Sequence, residues 1–532
     1  MLKNGMILAG KTEDGREIGI LPRMANRHGL IAGATGTGKT VTVKVLAESF
    51  SDLGVPVFLA DVKGDLAGMI RPGADTGDLR ARMERFGLSE TEFVRRAYPV
   101  AFWDIYGKMG MPLRTTISEM GPLLLARILG LNDIQSQILA IAFRIADDGN
   151  LLLIDTKDLK AMLNYISENA QDYRADYGNI SGASVAAIMR AVTRLEMDGG
   201  DRFFGEPALS ITDWFALGAD GRGMIHVLDS ESLISSPALY ATFLLWMLSE
   251  LFETLPEVGD LDKPKMVFFF DEAHLLFHDA SKELLQKIIQ VVKLIRSKGV
   301  GIYFATQNPR DIPDDVLAQL GNRIEHGLRA YTPAEKKTVR AAAESFRENP
   351  SFDSYETILT LGTGEAVVSF LDEQGMPGIS EKIAVFPPQS QIGPVDEQAR
   401  EGVIRGSILY SKYASPVDPE SAYELLQRKG ALEAAEAERA AAEQAAEKQR
   451  KQEAAAAAKK EEKKKRDEER EEKKGQTAKK RAAKNIASSV TGTVGREVGK
   501  QMGKKFGSFG KTLGGNLGAS LGRGILSTLF RL

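Results

Sequence analysis

The chain has 532 residues, 43% apolar and 27% charged, and contains no cysteine. That excludes a disulfide framework, thiolate metal sites and cysteine nucleophilic catalysis, and the length asks for a large core with appended pieces. The net charge of -3 hides an asymmetry: residues 1–420 carry 43 Lys+Arg against 57 Asp+Glu, whereas residues 421–532 carry 26 against 15. An acidic body followed by a basic tail suits contact with nucleic acid, an anionic membrane surface or an acidic face of the protein itself.

Met1 to Met6 lack the basic-then-apolar order of a signal peptide, and no uncharged apolar run reaches membrane-spanning length, so a cytoplasmic chain is expected. Residues 1–27 read as short strands with turns at Glu13-Asp14-Gly15 and Leu21-Pro22, an entry to a sheet. The run Leu30-Ile31-Ala32, a glycine-rich loop, a helix over 41–50 and the strand Val55–Ala60 open a βαβ unit, so the fold class is α/β with a mainly parallel sheet. Residues 1–65 form the start of this core. Residues 66–220 read as a large, mainly helical insertion, with helices at Met120–Leu129, Asp133–Ala146, Thr156–Ser167 and Ser184–Met197; Trp103, Trp214 and Phe203-Phe204 are its packing aromatics.

Residues 221–390 return to the core. Strands are expected at Met224–Leu228, Met266–Phe270, Val300–Ala305 and Arg323–Leu328, with helices over 237–253 and 281–298 between them. Thr332-Pro333-Ala334-Glu335 carries a capping threonine, a first-turn proline and a glutamate at the third position, which starts a helix running to Phe346. A second helix starts at Asp353, Glu365–Leu371 reads as a hairpin arm, and Pro387-Pro388 marks the end of the core. Residues 391–484 are a linker and an Ala/Glu/Lys-rich segment, expected as a long charged helix without a coiled-coil seam. Residues 485–532 place glycine at steps of three or four among basic and apolar residues, the pattern of a self-associating or membrane-surface helix or of a flexible terminus.

The chemistry sits on three of these segments. Gly33-Ala34-Thr35-Gly36-Thr37-Gly38-Lys39-Thr40 is a complete phosphate-binding loop between a strand and a helix. Backbone N–H groups from Gly33 through Val41 wrap the phosphates, Lys39 reaches the β/γ oxygens, and the Thr40 hydroxyl reaches magnesium. Phe270-Asp271-Glu272-Ala273-His274 supplies the second half: Asp271 for the magnesium shell and Glu272 to polarise the attacking water. The Asp-Glu-Ala-His string alone would suggest the helicases named for it, but one phosphate loop without a second core excludes them, and His274 is read as coupling the site to its neighbourhood. Gln307, where the apolar strand Val300–Ala305 gives way to amides, is a candidate reporter of the γ-phosphate. Arg296, Arg323 and Arg329 are candidates for a finger reaching a neighbouring subunit's nucleotide.

Taken with Arg27-His28-Gly29 before the loop and the motif Asp61-Val62-Lys63-Gly64-Asp65, these segments resemble the HerA/FtsK superfamily of P-loop motors, and more narrowly the bacterial HerA-like proteins, over residues 1 to about 390. The resemblance implies a RecA-like ATPase core using ATP and Mg2+, a homo-hexameric ring with nucleotide between subunits, and DNA in its pore. It implies roles in binding and hydrolysis for Lys39, Thr40, Asp271 and Glu272, a sensor role for Gln307, and a trans finger at Arg296. The family's N-terminal β-barrel has no counterpart in the 27 residues before the loop. The expected function is therefore a HerA-like DNA translocase or helicase. The alternatives are a protein-translocating ATPase whose tail meets the inner membrane surface or a partner protein, and a nucleotide-dependent assembly protein.

Overall fold

A computed structural model describes residues 1–480 except 90, 91, 232, 234, 235 and 278–281; the glycine-striped segment 485–532 lies outside the described residues. Its contacts divide the chain into two units, Met1–Asn164 with Ile180–Ala422, and Tyr165–Asn179 with the chain from Tyr423 on.

The first unit is organised by one sheet. Its strands are β1 (Leu2–Lys3), β2 (Met6–Lys11), β3 (Glu17–Ile20), β4 (Gly29–Ala32), β5 (Val57–Asp61), β6 (Val100–Asp104), β7 (Met111–Pro112), β8 (Ile225–Asp229), β9 (Met266–Phe270), β10 (Val300–Thr306), β11 (Asn322–His326), β12 (Glu365–Ser369) and β13 (Glu381–Val385). They lie in the order β1-β2-β13-β12-β11-β4-β10-β9-β5-β8-β6-β7, with β3 also on β2. From β11 to β7 every pairing is parallel; the hairpin β12–β13 and the N-terminal strands extend the sheet antiparallel. Strands β4, β5, β8, β9 and β10 are buried along their whole length, which is why they read as unbroken apolar runs such as Met-Val-Phe-Phe-Phe. The helix Lys39–Asp52 covers one face: Leu46, Ala47 and Phe50 join Ile31, Leu59, Phe269 and Tyr303 in one core cluster.

Two expectations need correction. Residues 66–220 are not a helical insertion throughout, because β6 lies inside them and pairs in parallel with β8, Val100 opposite Ile225. A strand covered on both faces shows no alternation, and Val-Ala-Phe-Trp-Asp is too short to separate from a buried helical turn by pattern. The core also continues past Pro387-Pro388. The helix Glu397–Gly406 is held to β8 by a buried ion pair between Arg400 Nη1 and Asp229 Oδ2 at 2.6 Å, and the unit ends only at Ala422.

The helices between β7 and β8 include Ile117–Leu129, Asp133–Asp148, Thr156–Glu168 and Gly182–Met197. The first of these opens with a capping box, Thr116 and Glu119, and is broken at Gly121, φ 71° and ψ 164°, just before Pro122. Glycine supplies the left-handed residue and proline removes a ladder donor, so two helical pieces meet at a kink.

In the second unit the Lys429 ammonium lies 5.1 Å from the Tyr165 ring and donates to its Oη at 3.2 Å, and Tyr165 meets Tyr173 edge-on. The helix Ala422–Lys480 then runs on, exposed all round over residues 438–470 and with i,i+4 pairs such as Glu447–Lys451, as its mixed charges and missing apolar stripe require. Among the described residues no helix is long and apolar enough to cross a membrane.

Candidate nucleotide site

Three neighbouring strands end on the candidate site. β4 runs into the glycine loop, β10 into Gln307, and β9 into Asp271-Glu272, and the order β4-β10-β9 places the amide between the loop and the two acids. All three lie at the carboxyl ends of parallel strands, where open α/β sheets bind ligands.

The loop is held from outside. Ala34 N donates to Gly327 O at 3.0 Å and Gly364 N donates to Thr37 O at 2.9 Å, so the ends of β11 and of the loop before β12 brace it. Gly38 has φ 113°, and a Cβ there would stand 3.1 Å from Gly364 N; at Gly33 it would stand 2.5 Å from the His326 Cβ. Only glycine fits both places. His326 is wired twice: its Nδ1 lies 2.9 Å from Glu365 O, and its Nε2 lies 2.9 Å from Thr42 Oγ1. A carbonyl can only accept, so Nδ1 carries the hydrogen and Nε2 accepts from Thr42. Burial lowers the His326 pKa to about 4, which keeps the ring neutral.

Lys39 Nζ donates to the loop's own carbonyls, Gly33 O at 2.6 Å and Ala34 O at 3.1 Å. Burial lowers its pKa, while Asp271, Glu272 and Glu325 oppose that shift. Thr35 Oγ1 donates to Gln307 Oε1 at 3.2 Å, and Gln307 Nε2 donates to both carboxylate oxygens of Glu272 at 3.0 and 3.3 Å. One polar chain thus runs from the phosphate loop through the amide to the glutamate. Val41 packs its side chain against the satellite cluster of Val45 and Phe86, so only its backbone can serve a nucleotide.

Glu272 sits at φ 49°, a left-handed conformation for a residue with a long side chain. Such backbone strain costs about 1–3 kcal/mol and persists only where the surroundings over-determine it. Here Tyr240 Oη donates to Asp271 O at 2.8 Å, Glu272 N donates to Asp271 Oδ1 at 2.9 Å, and Ala273 N donates to Ala305 O at 2.9 Å. His274 Nδ1 lies 3.4 Å from Glu272 Oε2. Asp271 is half-buried, and desolvation followed by the Glu272 charge raises its pKa.

The arginines separate. Arg296 lies before β10 at the amino edge of the sheet, and seven residues of strand at ~3.3 Å each put it roughly 20 Å from Gln307. It is 40% exposed, and its contact is a loose one with Asp260 at 3.7 Å. Arg323 is spent on carbonyls, of Leu320, Leu317 and Ser345, and Arg329 is exposed beyond β11. No arginine of this trio therefore joins the loop and the acids within one chain.

Sequence reasoning missed several residues. Glu325, beside Ala32 in the β11–β4 register, is fully buried with no partner for Oε1, and burial raises its pKa to about 8 against the pull of Lys39 and Arg323. A glutamate interrupting a central strand, Asn-Arg-Ile-Glu-His, was the available signal. Asp61 of the Asp-Val-Lys-Gly-Asp motif caps its own turn, accepting from Lys63 N and Leu66 N, and burial raises its pKa to about 6.

The family described as "Helicase HerA-like C-terminal" matches residues 7–513. The DNA double-strand break repair helicase HerA of Sulfolobus acidocaldarius is 22% identical over 66% of this chain and 64% of its own length. The DNA import protein CedB of the same organism is 22% identical over 70% of this chain and 55% of its own. The bacterial conjugative coupling protein TrwB aligns with TM-score 0.46 and 15% identity over 72% of this chain and 91% of its own. The chain thus spans less than two thirds of the length of the HerA and CedB relatives.

Proposed function

The chain belongs to the helicase HerA-like C-terminal family, and on that premise we propose that it is an ATP-hydrolysing ring motor that moves DNA. The observation that carries the hydrolysis is the chain of contacts Thr35–Gln307–Glu272 between the phosphate loop and the two acids. The relatives named for DNA repair and DNA import favour DNA as the polymer.

The site fits a magnesium nucleotide. Gly33, Gly36 and Gly38 take the positive φ values that a tight phosphate-binding turn needs, and Thr40 and Asp271 offer only hard oxygen donors. The ion, when bound there, neutralises phosphate charge. Lys39 exchanges the carbonyls of Gly33 and Ala34 for phosphate oxygens, and the loop keeps its shape because Gly327 and Gly364 hold it. Gln307 ties down Glu272 until the terminal phosphate draws its amide away, after which the freed carboxylate takes a proton from the attacking water. The Arg296 finger comes from the neighbouring subunit, because its own chain holds it at the far edge of the sheet.

The test is the ATP turnover of the full chain with and without single- and double-stranded DNA, for wild type and Glu272→Gln. DNA is expected to stimulate the wild type, and Glu272→Gln to lose about 10²–10⁴-fold. Turnover indifferent to both DNAs would remove DNA as the cargo; unimpaired turnover by Glu272→Gln would remove the base.

A further inference from the structure

The segment that carries Glu272 is pinned from a direction its chemistry does not require. After Glu272 the chain forms a single short helix, His274–Phe277, whose last carbonyls have no partner within it. Arg127 fills that gap: Nη1 donates to Leu276 O at 3.2 Å, and Nη2 donates to Leu276 O at 3.2 Å and Leu275 O at 3.3 Å. Arg127 comes from the second piece of the Ile117–Leu129 helix, beyond the Gly121-Pro122 kink. The Ile117–Leu129 helix packs on the Pro237–Thr254 helix, which carries Tyr240. Tyr240 is fully buried, and its hydroxyl bonds the carbonyl of Asp271, the residue before the strained one. Helices outside the strand–loop machinery thus grip the Asp271–Phe277 segment at both ends, and Glu272 lies between the two grips with φ 49°.

We propose that Arg127 and Tyr240 are positioning residues that hold Glu272 in its left-handed conformation. The half-helix Pro122–Leu129, hinged at Gly121, then sets the rate of hydrolysis from outside the nucleotide site. A shift of that half-helix about the kink pulls on the carbonyls of Leu275 and Leu276. The short helix is joined to Glu272 by Leu275 N to Glu272 O at 3.0 Å, so the pull reaches the carboxylate without crossing the phosphate loop. Nucleotide binding and hydrolysis are thereby separable: the loop is braced by Gly327 and Gly364, and the acid by the helices. The inference rests on Glu272 being the base.

The experiment compares full-length Arg127→Met, which keeps the helix packing, and Tyr240→Phe, which removes only the hydroxyl, with Glu272→Gln and an Arg144→Ala surface control. Each variant is assayed for kcat, KM and binding of a non-hydrolysable ATP analogue, with amide hydrogen exchange across Glu272–Phe277. Both positioning variants are expected to lose roughly tenfold in kcat with KM and analogue affinity within about twofold, and to exchange faster in that segment alone, while Arg144→Ala matches wild type. Wild-type kcat in Arg127→Met and Tyr240→Phe beside an inactive Glu272→Gln overturns the positioning role and leaves the base standing. A parallel fall of kcat and analogue affinity with faster exchange throughout β4 also overturns it, as general destabilisation. Normal turnover by Glu272→Gln removes the base and the positioning role together.

Discussion

Two glutamates near the phosphate loop are held in opposite ways. Glu272 is strained in its backbone and well partnered in its side chain, whereas Glu325 lies in regular strand backbone with a carboxyl oxygen that finds no partner. Burial lifts the Glu325 pKa from 4.5 to about 8, so the folded protein holds that proton more tightly than the unfolded chain. The contribution to stability is complete below about pH 4.5 and is lost as the pH rises towards 8. Glu325→Gln removes this dependence. Its unfolding free energy, measured by urea titration, should draw ahead of wild type across that window by up to ~1.4 kcal/mol per pH unit; a constant difference would contradict the buried proton. At this scale the sequence singles out residues where chemistry dictates type and spacing, as at Lys39, Thr40, Asp271 and Glu272, and the structure brings Lys39 and Glu272 to neighbouring strand ends. Arg127 and Tyr240 act on backbone carbonyls of a segment distant in sequence, and no spacing rule marks such donors.

Between elements, the pair Arg400–Asp229 ties the helix Glu397–Gly406 to β8, both side chains being at least nine-tenths buried. Arg400 also stacks 4.9 Å from the Phe102 ring of β6, so it joins two strands and one helix. Arg400→Ala leaves Asp229 buried without its cation and is expected to cost about 3–5 kcal/mol in chemical denaturation; a loss below about 1 kcal/mol would mean that the helix is not needed to hold the sheet. The β-strands with long apolar runs were legible because parallel strands buried on both faces leave that signature. β6 was not, and neither was the core's continuation to Ala422, because Pro387-Pro388 punctuates the chain without ending its packing. A buried ion pair between residues 229 and 400 leaves no local trace in either segment.

For the molecule as a whole, the proposed finger role of Arg296, which its own chain holds away from the loop, predicts that hydrolysis belongs to assembled chains. Arg296→Ala should bind nucleotide normally and lose turnover on the order of 10³-fold. Mixed with Lys39→Ala, which has an intact Arg296 but a dead loop, it should recover activity, since some interfaces then join a working loop to a working finger. Two inactive variants that stay inactive on mixing would place the finger elsewhere. The sheet order has a further consequence, for biosynthesis. β4, which carries the phosphate loop, pairs only with β10 and β11, made about 270 residues later, and the loop's braces at Gly327 and Gly364 come later still. At translation rates of about 5–20 residues per second, the nascent chain carries an unpaired apolar strand for on the order of tens of seconds. The glycine loop therefore receives its last brace only after Gly364 has been made.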